Sequence, residues 1–194
     1  VRWCSMLTAL AEAIEEVEIG ADPDALAAVL ALSSRLDARI SAAVAAVDAS
    51  RLWEVDGATS MTAWLAERGG RAARDVREAR LVARLPATAA AWADGTLPGG
   101  HVEAVCANLD DHLVGVFARH EAAVLPALAR LPVADCATAM QAWRALAEDR
   151  EPPPERPHAL HASRLPDGHL AVDGNLDGET GEVVAPIDPH GREG

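Results

Sequence analysis

The residues best suited to chemistry in this sequence are six closely spaced arginines, Arg68, Arg71, Arg74, Arg77, Arg80 and Arg84. With three acidic residues among them, residues 67–84 carry a formal charge of +3, and the rest of the chain carries −16. A guanidinium group can bind two phosphate oxygens at once, so arginine is well suited to contacts with nucleic acids. The run therefore predicts a nucleic-acid-binding segment.

The spacing of these arginines leaves two interpretations open. Three residues turn a helix by about 300°, so Arg71 to Arg80 spread over half of the helix circumference. A helix inserted into a groove of DNA could use this spread, with some side chains on bases and others on phosphates. A solvated helix surface would show the same pattern, with Asp75 and Glu78 paired to neighbouring arginines.

A second pattern overlaps the arginine run. Ala66, Gly70 and Val76 have the spacing of the small residue, turn glycine and core aliphatic residue of a helix-turn-helix unit. In such a unit the second helix would be the arginine-bearing one. Ordinary packing of two consecutive helices requires the same residue types, so that alternative stays open.

A calcium loop is only half present near the end of the chain. Residues 173–178 match the D-x-N-x-D-G half of such a loop, but its twelfth position is Val184, where a bidentate glutamate is required. We expect a glycine-rich turn there and no calcium site.

The remaining ligand-type residues are scattered. His158 and His161 would face opposite sides of a strand, and the other candidates lie on different predicted helices: His101, His112 and His120. The three cysteines, Cys4, Cys106 and Cys136, form no C-x-x-C pair, which argues against a zinc site and a disulfide framework. We therefore expect no metal, cofactor or catalytic residue, and a reducing, cytoplasmic location.

These side chains must be positioned by helices. Half of the residues are apolar and only 3% are aromatic, which favours helix over sheet. Periodicity and capping residues predict helices at 5–18, from Pro23 over about 25 residues, around 61–65 after a Ser60 cap, at 72–85, at 86–94, after Gly99-Gly100, at 112–130 with an interruption at Pro126, and at 133–149.

The predicted helix after Pro23 has an apolar stripe composed of Leu26, Val29, Leu32, Leu36, Ile40, Val44 and Val47. Such a stripe on a long helix packs against a second helix. It therefore also suits a protein-interaction or dimerisation module that would form a homodimer.

The chain divides into four predicted regions. Residues 1–150 form the α-helical domain, 151–157 a stiff proline-rich linker, 158–184 a β-hairpin extension, and 185–194 a frayed tail. The fold class we expect is mainly α, with six to eight helices. The net charge of −13 repels anionic membranes, and no apolar run reaches the length of a membrane span.

Several ordered blocks resemble the 13E12 repeat family, also called domain of unknown function 222. They are Leu36-Asp37-Ala38-Arg39-Ile40, residues 56–65, residues 79–86, Gly95-Thr96-Leu97 with His101-Val102, Trp143, and residues 173–177. The resemblance covers roughly residues 30–184. None of these blocks is catalytic.

The resemblance implies the N-terminal region of an actinobacterial HNH-endonuclease-like protein. No His-Asn-His segment occurs in this sequence, so nuclease activity is not carried over. The leading hypothesis is a non-catalytic, nucleic-acid-targeting module that contacts DNA through the six arginines. The alternatives are a helical interaction or dimerisation module and a truncated remnant of a nuclease.

Overall fold

The computed structural model describes residues 2–69, 72–151, 159–164 and 170–175. The chain divides into two compact units, residues 1–152 and 153–194. The mainly helical fold expected from the sequence is confirmed, since the described part of the first unit contains eight α-helices. The linker at 151–157, apart from residue 151, and the tail at 185–194 lie outside the described residues.

The helices of the first unit are α1 Arg2–Glu16, α2 Pro23–Ala49, α3 Met61–Ala66, α4 Ala72–Val82, α5 Pro86–Asp94, α6 Gly99–Ala107, α7 Asp111–Leu128 and α8 Val133–Arg150. A 3₁₀ turn at Leu52–Asp56 follows α2. In the second unit, β1 Ala159–Arg164 pairs antiparallel with β2 Leu170–Asn175, so that Ala159 lies opposite Asn175. The residues that join the two strands lie outside the described part, as do residues 176–178 of the calcium-like segment.

Local chemistry sets several helix ends as expected. The Asp22 carboxylate accepts a hydrogen bond from Asp24 N (2.9 Å) at the start of α2, and Pro23 supplies the first residue. Ser60 Oγ accepts from Ala63 N (3.1 Å) and caps α3. Gly95 ends α5 with φ +85°, a left-handed conformation that favours glycine.

The expected interruption at Pro126 is wrong. Helix α7 continues through Pro126 to Leu128. The proline removes a single backbone hydrogen bond close to the helix end. Buried Leu125 and Leu128 hold this last turn in the core, which explains why it stays helical.

The main core lies among α4 to α8 and α2. Leu85, Val102, Val105, Leu113, Phe117 and Met140 are fully buried there. Phe117 contacts Trp143 edge to face, with ring centroids 5.2 Å apart. A smaller cluster of Val44, Met61, Val76 and Ala79 joins α2, α3 and α4.

Helix α2 buries a different face from the one the apolar stripe predicts. Its buried residues are Ala38, Ser41 and Val44, whereas Leu26, Leu32, Leu36 and Ile40 are exposed. Small side chains let neighbouring helices approach α2 closely. Of the stripe residues only Val44 is buried, so the stripe as a whole does not pack against another described helix of the same chain.

Among the described helices, none combines the length and apolar character that crossing a membrane requires.

Candidate functional site

The arginine-bearing helix α4 is buried on one side only. It packs against α2, α3, α5 and α6, and Val76, Ala79, Leu81 and Val82 on it are buried. A recognition helix must expose one whole face to enter a DNA groove. On α4, the side chains of Arg74, Arg77 and Arg80 are 45–60% exposed, so the arginine-bearing side faces solvent while the other side joins the neighbouring helices.

Two arginines anchor α4 to its neighbours. Arg80 donates from Nε (2.5 Å) and Nη2 (3.1 Å) to the Asp48 carboxylate at the end of α2. These hydrogen bonds lower the pKa of Asp48 and raise the pKa of Arg80. Arg74 pairs with Glu103 on α6, and that hydrogen bond raises the pKa of Arg74. Both arginines therefore link α4 to other helices.

Arg77 has a capping role. Its Nη1 donates to Cys106 O (3.0 Å) and its Nη2 to Leu109 O (2.9 Å), at the C-terminal end of α6. The Asp110 carboxylate lies 3.9 Å from Nη2. A cation at this position satisfies carbonyl groups that the helix leaves without partners.

The two outer arginines of the run also have partners. Arg68 Nη2 pairs with Asp56 (2.9 Å), and its guanidinium carbon lies 3.9 Å from the centroid of the Trp64 ring. Arg84 Nη1 pairs with Asp111 (2.7 Å). Arg71 lies outside the described residues.

The structure thus brings part of the predicted arginine site together. Arg77, Arg80 and Arg84 line one cavity of about 320 Å³, with Asp110 and Asp111 also on its wall. Each of the five described arginines has a carboxylate within 4 Å. A phosphate would have to displace these carboxylates or share the guanidinium groups with them, so phosphate binding stays a prediction.

The three residues with helix-turn-helix spacing lie in different surroundings. Ala66 ends α3, and Val76 is buried between α2, α3 and α4. Gly70 lies outside the described residues, whereas the adjacent Gly69 has φ +83° and makes the left-handed turn. Helix α3 spans only six residues. The spacing therefore reflects packing of two consecutive helices around a glycine turn.

His101, Cys106 and Cys136 are buried among the helices. His101 is buried, with Nε2 2.8 Å from Leu131 O. Burial raises the pKa of the Cys106 thiol to about 12 and also raises that of Cys136, so both thiols stay protonated near neutral pH. Cys4 on α1 is the exposed cysteine of the three.

The exposed apolar side chains of α1, α2 and the segment between them are the feature that the sequence revealed least clearly. We define the α1–α2 apolar surface by Met6, Leu7, Leu10, Ile14, Val17, Ile19, Leu26, Leu30, Leu32, Leu36 and Ile40, which are 37–63% exposed. A signal was present, since Leu7, Leu10, Ile14 and Val17 follow steps of three, four and three residues. That spacing is typical of a coiled-coil seam.

The family model described as "Domain of unknown function (DUF222)" matches residues 23–184. The chain belongs to the DUF222 family. The match begins at the first residue of α2 and includes both strands. Helix α1 and the segment after it precede the matched residues, so six of the eleven residues of the apolar surface lie outside the match. Neither the curated proteins nor the solved structures contain a match to this chain.

Proposed function

We propose that this DUF222 chain is a non-catalytic interaction module that binds a second copy of itself through the α1–α2 apolar surface. The observation that supports the proposal is the exposure of eleven large apolar side chains, nine of them on α1 and α2 and two, Val17 and Ile19, in the segment between these helices. Isolated exposed leucines are ordinary, but a set of this size on two consecutive helices is typical of an interface.

The area of this surface suits a stable dimer. Full burial of one large aliphatic side chain removes roughly 60–120 Å² of apolar area from water. Eleven side chains that are about half exposed therefore offer on the order of 500 Å². A standard interface buries about 800 Å² per partner, of which a little over half is non-polar.

The geometry of the two helices favours a second copy as the partner. On α1 the apolar residues share one side, and Glu12, Glu15 and Glu16 lie on the opposite side of the helical turn. A two-fold axis would place identical seams against each other, as in an isologous four-helix arrangement. The acidic residues of α1 would then stay in solvent.

Nucleic-acid targeting by an HNH-nuclease-like protein is the second candidate. Arg77, Arg80 and Arg84 share one cavity, which favours anion binding, while their carboxylate partners oppose it. The resemblance to the 13E12 repeat family, which implies an HNH-endonuclease-like protein, also favours this candidate. In this candidate, the module would bring a separate nuclease domain to DNA.

Sedimentation velocity of the full chain over a range of concentrations tests the leading proposal. We expect a concentration-dependent dimer, and we expect the double variant Leu7→Glu/Ile14→Glu to raise its dissociation constant at least about tenfold, because two buried apolar contacts become charged. The matched control is Val55→Glu, since Val55 is 82% exposed on the 3₁₀ turn and outside the surface.

A parent chain that stays monomeric at every concentration would remove the self-association proposal. Equal weakening by Val55→Glu would assign the effect to added charge and would also count against it. Binding of duplex DNA that disappears in an Arg77→Ala/Arg84→Ala variant would instead support the second candidate.

A further inference from the structure

A cleft between α2, α3, α4 and α6 has an apolar floor and an acidic rim. Its volume is about 630 Å³, within the range of small-molecule sites. The apolar part of its wall includes Leu30, Ile40, Val44, Leu65 and Trp92. An alkyl chain of several carbons fits such a lining.

The charges around this cleft are unbalanced. Four carboxylates line it, those of Asp37, Asp75, Glu78 and Glu103, against the guanidinium groups of Arg68 and Arg74, so its lining has a formal charge of −2. The two arginines also have partners of their own: Arg74 pairs with Glu103 and Arg68 with Asp56. A cation would be attracted into the cleft, and an anion repelled.

Ser41 supplies an independent observation. It lies in the cleft wall and is 8% exposed, and its hydroxyl has no hydrogen-bond partner among the described residues. Buried hydroxyl groups almost always have a partner, and one that lacks it costs free energy. A donor group entering the cleft would satisfy this oxygen.

We propose that the cleft binds a small organic cation, a primary ammonium or guanidinium group on an aliphatic chain. The chain lies on the part of the floor formed by Val44 and Leu65, and the cationic head lies beside Asp75 and donates to Ser41 Oγ. The argument for this site does not rest on the proposed self-association, although Leu30 and Ile40 belong to both surfaces.

Isothermal titration calorimetry with hexylamine, which is protonated at neutral pH, tests the site. Hexanoate has the same chain with the opposite charge, and methylamine has the charge without the chain. We expect hexylamine to bind more tightly than either. Asp75→Asn should weaken its binding about fivefold, because it removes one rim charge. The matched control is Asp135→Asn, since Asp135 likewise lies in the first turn of a helix, α8, but outside the cleft.

The variant Ser41→Ala distinguishes an effect on ligand binding from an effect on stability. Removing a hydroxyl that has no partner should leave Tm unchanged or higher, while the affinity for hexylamine falls severalfold. The proposal is overturned if hexanoate binds as tightly as hexylamine, if Asp75→Asn and Asp135→Asn have equal effects, if Ser41→Ala leaves the affinity unchanged, or if no saturable heat appears up to about 10 mM amine.

Discussion

Glu121 on α7 is a carboxylate buried inside the helical unit, with only 3% of its surface exposed. It accepts hydrogen bonds from Ala87 N (2.9 Å), Thr88 N (3.0 Å) and Thr88 Oγ1 (2.8 Å) at the start of α5. The residue that precedes α5, Leu85, provides no side-chain cap. Glu121 therefore caps α5 from a neighbouring helix, where the helix dipole favours negative charge.

We expect Glu121→Gln to lower the free energy of unfolding by about 2–3 kcal/mol, because the amide nitrogen would face backbone N–H donors and a charge-assisted bond is lost. Urea denaturation followed by circular dichroism measures this difference. Glu12→Gln on exposed α1 serves as the control and should change stability by less than about 0.5 kcal/mol. Equal effects of the two variants would argue against the capping role.

Asp48 gives the unit an acid-sensitive contact. Because the hydrogen bond from Arg80 lowers the pKa of Asp48 below the ordinary value of an aspartate, the contact stabilises the fold above that ordinary value and is lost as the pH falls through the lowered pKa. We expect Asp48→Asn to remove this part of the pH dependence and to cost about 1 kcal/mol at neutral pH, since Arg80 is largely solvated.

Thermal melts at several pH values between about 2 and 7 measure the effect. The Tm difference between parent and Asp48→Asn should be largest at neutral pH and shrink on acidification. A difference that is constant with pH would contradict the assignment.

At the residue scale, the sequence identified the arginines but not their partners. Local pairing with Asp75 and Glu78 was one of the two interpretations. Asp75 and Glu78 do interact electrostatically with Arg74. The structure adds contacts that join Arg80 to Asp48, 32 positions away, and Arg84 to Asp111, 27 positions away. Helical periodicity relates only residues three or four positions apart, so it could not reveal contacts between helices.

The elements themselves followed more directly from sequence. Pro23, Ser60 and Gly95 mark helix ends by chemistry that is local to a few residues, and all three have the expected roles. The face of α2 that is buried could not be predicted from the sequence. Both its leucine stripe and its stripe of small residues have helical spacing, and only the neighbouring helices decide that Ala38 and Ser41 are the ones covered.

Arg77 sets the end of α6, and this contact makes a prediction at the level of elements. A lysine cannot donate to two carbonyl groups in the fixed geometry of a guanidinium fork. We therefore expect Arg77→Lys to cost about 1 kcal/mol and Arg77→Met about 2 kcal/mol. Hydrogen exchange should show the loss as faster exchange of the amides near Cys106. Unchanged exchange there in Arg77→Met would rule out this role.

On the scale of the whole molecule, the net charge of −13 separates the two candidate functions. Two copies repel each other, and salt screens this repulsion. Self-association should therefore strengthen severalfold between about 20 and 300 mM NaCl. Binding to DNA would weaken over the same range, because phosphate contacts release counterions. Sedimentation equilibrium in both buffers shows whether salt strengthens or weakens self-association. Weaker association at high salt would contradict the apolar interface.

Leu30 and Ile40 belong both to the α1–α2 apolar surface and to the lining of the acidic cleft. If a dimer partner covers these two side chains, a guest in the cleft loses them, so pairing and guest binding compete. Thermodynamic reciprocity then requires that each disfavours the other to the same extent. A domain built in this way would bind its ligand at low protein concentration and release the ligand as the protein concentration rises.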